Sequence, residues 1–475
     1  MFKLKNNIDQ KINEVKLVQI LFYMFPLSFL VGNLLVTLNL LLLVLISLIV
    51  LKKEQLKFSF KSSYWLLIFF FVYIILLTTI QFQRPGYLYD ITNWWEFKSD
   101  PTYKSFFLLR FLVFIFIIDV LFSNKILKLN NFFLVSLICT SFVSFDIIFQ
   151  YLTGYDVFGY KGSEMPPRNS GPFGDEWISG SYLQKFSFFS FFYIFGIYKN
   201  IKFKNTLLIS IIIIHLTALL LSGNRMPFIL FIFACILIIL LIKKLRITMS
   251  LSLIIFLAIF SLIIKNDPTI KNYYYTIWDK TLNRVNFSQI IKTGKINEES
   301  FIRERKSVDV VQPGTAFLRT SGHGAIYRTA FILWKEQPLF GHGLKSFRVK
   351  CWEVLEREGR KLKKGEGVSG GGAAHFACST HAHNYYLELL AEVGLIGTSL
   401  LIIFFIILLK DSYYFLKKYN QKIDTEIVFI IPFIIVTFLE IWPIKSSGSF
   451  FTTWNATIIW LCIGILMASK LKKSI

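Results

Sequence analysis

The sequence predicts an all-α, polytopic membrane protein with about twelve transmembrane helices and one large helical loop on the outer face. Three observations predict it. Of 475 residues, 54% are hydrophobic and only 17% charged, where a soluble globular chain has about a quarter charged. The mean hydropathy is +0.56, and the apolar residues, among them 51 Phe, gather in long runs. Lys and Arg are distributed unequally between those runs. This composition excludes a water-soluble enzyme, a disordered chain and a disulfide-rich miniprotein. A net charge of +23 would by itself point to nucleic acid, but its placement between apolar runs does not, so no nucleic acid is expected.

About 20 mainly apolar residues cross about 30 Å of hydrocarbon. By that measure the spans are 17–32, 34–51, 64–80, 105–122, 132–151, 182–198, 205–222, 226–242, 247–264, 384–409, 425–444 and 453–469. No small-residue cleavage site follows the first run, so it is expected to remain as an uncleaved anchor. Twenty-three Lys and Arg lie in the tails and the segments on one side, against seven in the short segments on the other. The positive-inside rule then puts both termini in the cytoplasm and requires an even number of spans. Three regions follow: membrane residues 1–264, an outer loop 265–383, and membrane residues 384–475.

The outer loop holds 20 Lys and Arg against 11 Asp and Glu. A basic surface beside a bilayer attracts phosphate, whether of lipid head groups or of a lipid-linked substrate. Within it, 270–282 predicts a helix whose Tyr274, Ile277 and Trp278 suit the membrane interface. Residues 324–336 predict another, with Ile326, Ala330, Phe331 and Trp334 on one face, stopped by Pro338 and Gly341. A third, 346–358, groups Phe347, Cys351, Val354 and Leu355. The Gly-rich stretch 365–374 reads as a mobile lid or loop tip. Cys351 and Cys378 share this compartment and are expected to form a disulfide. Cys139, Cys235 and Cys462 lie within spans as apolar fillers.

His383 falls where the loop meets the tenth span, and its ordinary pKa suits a general base near neutral pH. The bland alternative is an interfacial capping histidine. Asn384 beside it could hydrogen-bond the ring or cap the helix, and Gly394 and Gly397 allow close helix packing. Arg225 occupies a turn of a few residues between two apolar spans, a costly place unless it snorkels or binds an anion. Arg328 lies in the helix 324–336. Two outer arginines and a histidine make a diphosphate clamp plus base, because guanidinium matches phosphate bidentately. The run His375, Cys378, His381, His383 also has metal-ligand spacing, although a disulfide would consume Cys378. Asp175 and Glu176 read as substrate-contacting or loop-stabilising, and Asp146 and His215 as paired polar groups within spans.

With these residues in hand, the chain resembles the superfamily of O-antigen ligases and O-antigen polymerases. The matching pieces are Ser222-Gly223-Asn224-Arg225, Arg328 with Trp334 and Pro338 to Gly343, and His383-Asn384 with Gly394 and Gly397. Gly154-Tyr155-Asp156, Arg168, Gly171, Phe173 to Glu176 and Gly180 to Leu183 also fit. The resemblance implies a metal-independent, inverting transfer of a glycan from undecaprenyl diphosphate in the bacterial inner membrane, with no cofactor. By it, Arg225 and Arg328 bind the diphosphate, with Arg168 and Asn384 also on the substrate, and His383 activates the acceptor hydroxyl. The implied acceptor is lipid A–core for a ligase or a second lipid-linked glycan for a polymerase, and a monomer is expected. A protein-glycosylating relative ranks third. A twelve-span transporter of lipid-linked sugars is the alternative of another class, but it would need related halves and polar sites at mid-membrane.

Overall fold

The computed structural model describes residues 14–54, 60–83, 101–164, 166–198, 200–282, 322–357, 378–419 and 428–469. In chain order the helices are α1 (Glu14–Tyr23), α2 (Phe25–Val31), α3 (Asn33–Glu54), α4 (Ser63–Phe82), α5 (Pro101–Phe107), α6 (Leu109–Ser123) and α7 (Leu129–Thr153). A two-residue hairpin, β1 (Ser163–Glu164) with β2 (Pro167–Arg168), follows. Then come α8 (Ser179–Ile197), α9 (Ile201–Leu221), α10 (Arg225–Leu241), α11 (Arg246–Asn266) and α12 (Pro268–Leu282). The loop supplies α13 (Gly322–Glu336) and α14 (Phe347–Arg357). The chain closes with α15 (Tyr385–Tyr419), α16 (Ile431–Glu440) and α17 (Thr453–Ala468).

Helix lies within each of the twelve apolar runs. Among the described residues, however, seven helices are long and apolar enough to cross a membrane, or eight if α1 and α2, bent by 51°, form one span. Pro26 in the first turn of α2 withdraws one backbone donor at that bend. The apolar helices α10, α16 and α17 are shorter. Large apolar side chains such as Leu34, Leu45, Ile138 and Ile247 are exposed along the long helices, a surface suited to hydrocarbon and not to water.

Inside, aromatic rings fill the core. Phe189 stacks edge-on to Phe132 at 5.1 Å and to Phe433 at 4.8 Å, joining α7, α8 and α16. Helix α7 packs on α8, α17 on α6, and α9 against α7, α8 and α11. Asn200 caps α9 by accepting from the Phe203 amide at 3.2 Å.

A second, smaller core forms where α13 and α14 pack near the start of α15. It contains Ile326, Ala330, Leu333, Phe347, Cys351, Val354 and Ala382. The three short helices expected in the outer loop are present within a few residues of their predicted ends. The buried face of α13 differs from the one read from the sequence: Leu333 is buried and Phe331 is exposed. The side chains of Ile277, Trp278 and Leu355, and the whole Gly-rich stretch 365–374, lie outside the described residues.

Candidate active site

A disulfide joins Cys351 in α14 to Cys378, with Cα atoms 5.4 Å apart. It anchors the start of the short segment that carries His381 and His383. Ala382 between them is fully buried in the small core, so the two histidines are held from both ends. His383 has φ of 53°, a left-handed conformation that costs a non-glycine residue about 1–3 kcal/mol. Two bonds to its carbonyl oppose that strain: the Ser447 amide donates at 2.9 Å and the Tyr327 hydroxyl of α13 at 3.3 Å.

The His383 ring lies 3.1 Å through Nε2 from the Ser379 hydroxyl. The His381 ring centre is 4.2 Å away and that of His323 is 4.8 Å away. Burial, then the two neighbouring rings, pushes His383 down to about 3. Burial, then Lys345, pushes His381 down to about 4. Both imidazoles are therefore neutral at neutral pH, with their basicity held below that of a free imidazole by the same burial.

Asn384 leaves the ring alone and caps α15, its Oδ1 accepting from the amides of Tyr386 at 3.0 Å and Leu387 at 3.1 Å. Its Nδ2 donates to the carbonyls of Pro443 and Lys445, fastening the loop between α16 and α17 beneath His383.

Arg225 begins α10. Its Nη2 donates to the Tyr273 carbonyl at 2.6 Å, and its Cζ lies 3.6 Å over the Tyr273 ring. The guanidinium is thus turned towards α12. Arg168 lies against the same turn and stacks 4.2 Å over Trp177. The two guanidinium groups are close enough to repel each other, and the Nε of each is buried without a hydrogen-bond partner. Gly223 makes this approach possible: it has φ of 66°, and a side chain there would strike the Pro167 carbonyl and Arg168. Asn224 ties the turn to α8 by accepting from the Gly180 amide at 2.9 Å.

Arg328 follows Tyr327 in α13, the helix that also presents His323 to His383. The structure therefore forms two groups, Arg168 with Arg225, and His383 with Asn384 and the α13 helix that carries Arg328. Residues 209–402 match the O-antigen ligase family. This stretch runs from α9 into α15 and includes Arg225, Arg328, His383 and Asn384 but not Arg168. The resemblance read from the motifs is thus shown for this part of the chain. A search of curated proteins found no match. The O-antigen ligase match supports an enzyme of ligase or polymerase type that acts on lipid-linked glycans.

Flanking the ligase motifs are buried charges that sequence reasoning missed. Glu440 at the end of α16 meets Lys185 of α8 at 2.9 Å and Lys445 at 3.1 Å, and accepts from the Tyr385 hydroxyl at 3.3 Å. Nearby, the Lys345 amide donates to Glu392 at 2.8 Å and its Nζ to Ser449 at 2.7 Å, with Glu388 at 3.9 Å. Each of Lys185, Glu388, Glu392 and Glu440 is an ionisable residue inside an apolar run, which is the signal that could have found them. The suspected pairing of Asp146 with His215 does not occur. Asp146 accepts from the Val157 amide, whereas His215 lies beside Phe191 with neither ring nitrogen partnered.

The zinc alternative loses Cys378 to the disulfide, and His375 lies outside the described residues. Among the described residues no group of three or more His, Cys, Asp and Glu is arranged to hold a metal.

Proposed function

We propose that the protein transfers a glycan from an undecaprenyl-diphosphate carrier to an acceptor hydroxyl, as an O-antigen ligase acting on lipid A–core. The observation that carries this reading is the O-antigen ligase match over residues 209–402, which spans both arginines and the histidine. Polymerisation of lipid-linked repeat units is the second reading, because it shares the donor chemistry and differs only in the acceptor.

In this mechanism His383, neutral at neutral pH, takes the proton of the acceptor hydroxyl. The freed oxygen attacks the anomeric carbon from the face opposite the carrier, and the departing diphosphate leaves with the bonding electron pair, so the configuration inverts. Arg225 and Arg328 stabilise the charge that develops on the diphosphate, with Arg168 beside Arg225 and Asn384 holding the loop under the base. A diphosphate arriving near His383 would raise its basicity at the moment it is needed. The diphosphate is already a good leaving group, so these side chains supply the catalysis without a metal.

Twelve crossings, an inner-membrane location with both termini cytoplasmic, a periplasmic loop 265–383 between membrane regions 1–264 and 384–475, and a monomeric state belong to the same proposal. The glycan profile of a deletion strain tests it. Unligated lipid-linked polymer indicates a ligase, core bearing a single repeat indicates a polymerase, and an unchanged profile overturns both.

A further inference from the structure

Four helices, α8, α10, α15 and α17, begin at one small cavity of about 40 Å³. Their first turns contribute Ser181, Met226 and Pro227, Tyr385 and Asn455 to its lining. A helix start carries roughly half a positive charge where its amides are free. Here Asn384 already accepts from two amides of α15 and Asn224 from one of α8, so the lysines supply most of the positive charge. Lys185 and Lys445 also line the cavity, and between them they have one carboxylate, Glu440. The set therefore keeps one uncompensated positive charge. Gln184, another lining residue, is 2% exposed and its Nε2 has no hydrogen-bond partner.

An unbalanced buried cation beside an unpaired buried donor costs stability. Such an arrangement suits a receptor whose missing component is an anion. The volume has room for a few water-sized groups, enough for one phosphoryl or carboxylate group, and the cavity is partly open, so the rest of a ligand can lie outside it. Arg225 directly precedes Met226, yet its guanidinium is turned to Tyr273, so the cavity is separate from the arginine pair.

We propose that this cavity is an anion subsite in which Lys185, Lys445 and Gln184 hold a single phosphoryl or carboxylate group of the lipid-linked glycan or its acceptor. Which molecule carries that group rests on the transferase reading; anion binding itself does not.

The test uses the purified full-length protein at constant ionic strength, titrated in parallel with inorganic phosphate and with glucuronate. The ligand-dependent rise in the unfolding midpoint gives the apparent affinity. A saturable, one-site response to at least one probe is expected. Lys445→Gln and Gln184→Leu should each weaken it at least tenfold, whereas Lys161→Gln, on an exposed segment and paired with Glu164, should leave it within twofold. Glu440→Gln removes the competing carboxylate and should tighten binding severalfold, a change of opposite sign that a purely structural role would not produce. Preference for phosphate assigns the site to a phosphoryl group, and preference for glucuronate assigns it to an acidic sugar. A response that does not saturate overturns the subsite, as does one that survives Lys445→Gln and Gln184→Leu. So does one abolished by Lys161→Gln alone. Anion binding that persists in a protein without transfer activity would break the functional reading and leave the subsite standing.

Discussion

Helix α17 has a lysine cluster at each end, half-buried near Met467 and buried near Asn455, and the two clusters are built on opposite principles. Near Met467, Lys61 donates to Asp119 and to the Met467 carbonyl, while Tyr64 donates to the same carboxylate and Ser123 to its other oxygen at 2.8 Å. One cation meets one carboxylate, and both carboxylate oxygens are hydrogen-bonded. Near Asn455, two lysines share Glu440 around a cavity, and Gln184 retains an unpaired donor. A balanced cluster with every carboxylate oxygen bonded joins helices. An unbalanced one that opens on a cavity is arranged for something that arrives from outside.

The strongest way to break this contrast is to cut the proposed catalytic segment, whose His383 carbonyl the Ser447 amide of the cavity's loop holds, and, separately, the Lys61–Asp119 cluster. His383→Ala should lower transfer by about 10²–10⁴-fold, the usual cost of losing a general base, with the protein still folded and inserted. Asp119→Asn should leave the rate per folded molecule unchanged and cost about 1–3 kcal/mol of stability, because it weakens buried hydrogen bonds. Transfer assays in proteoliposomes beside unfolding curves separate the two. Near-normal transfer by His383→Ala would defeat the mechanism.

The Cys351–Cys378 disulfide closes a separation of 27 residues, worth roughly 3–4 kcal/mol in the chain-entropy model. Cys351→Ser should therefore lower stability and also slow transfer, since the bond anchors the segment holding His383. Mass mapping under non-reducing conditions should recover the linked peptides; two free thiols would remove this anchor.

Arg225→Lys and Arg328→Lys should each reduce kcat/KM by about 10–100-fold, in line with loss of a charged, bidentate contact. Chelation with EDTA should leave the wild type active. If it stops transfer and Zn²⁺ or Mg²⁺ restores it, a metal has to be added to the mechanism.

The smallest effect is in the pH profile. His383 is pushed down to about 3, so kcat/KM, which reports the free enzyme, should stay level from pH 7.5 to 5.5 where an ordinary histidine would begin to protonate. Lys445 is pushed down to about 8, mainly by burial, with Lys185 adding repulsion and Glu440 opposing it. Above pH 8 it loses its proton and with it the charge that holds the anion. The rate should then fall by up to about tenfold per unit, and this decline should vanish in Lys445→Gln. An acid limb near pH 6.5 would show that His383 is more open to water in the working enzyme.

The sequence by itself determined the class of the molecule and the place of every long helix. Apolar runs of about 20 residues have few other ways to satisfy their backbone in hydrocarbon. It also determined α13 and α14, whose amphipathic pattern is local, and it put Arg225 and His383 at helix ends and Arg328 within α13. Only the tertiary structure decided which helix faces meet. A helix apolar on every side carries little record of its neighbours, so nothing in the sequence joins Lys185 to Glu440, or turns Arg225 towards Tyr273 while Arg168 comes in behind it. The same limit applies to Gly394. It reads as a packing glycine, yet it has φ of 64° and interrupts α15. The backbone of Leu339 and Phe340 passes where a side chain would be, and a contact made by a segment more than fifty residues away in the chain is invisible to local pattern.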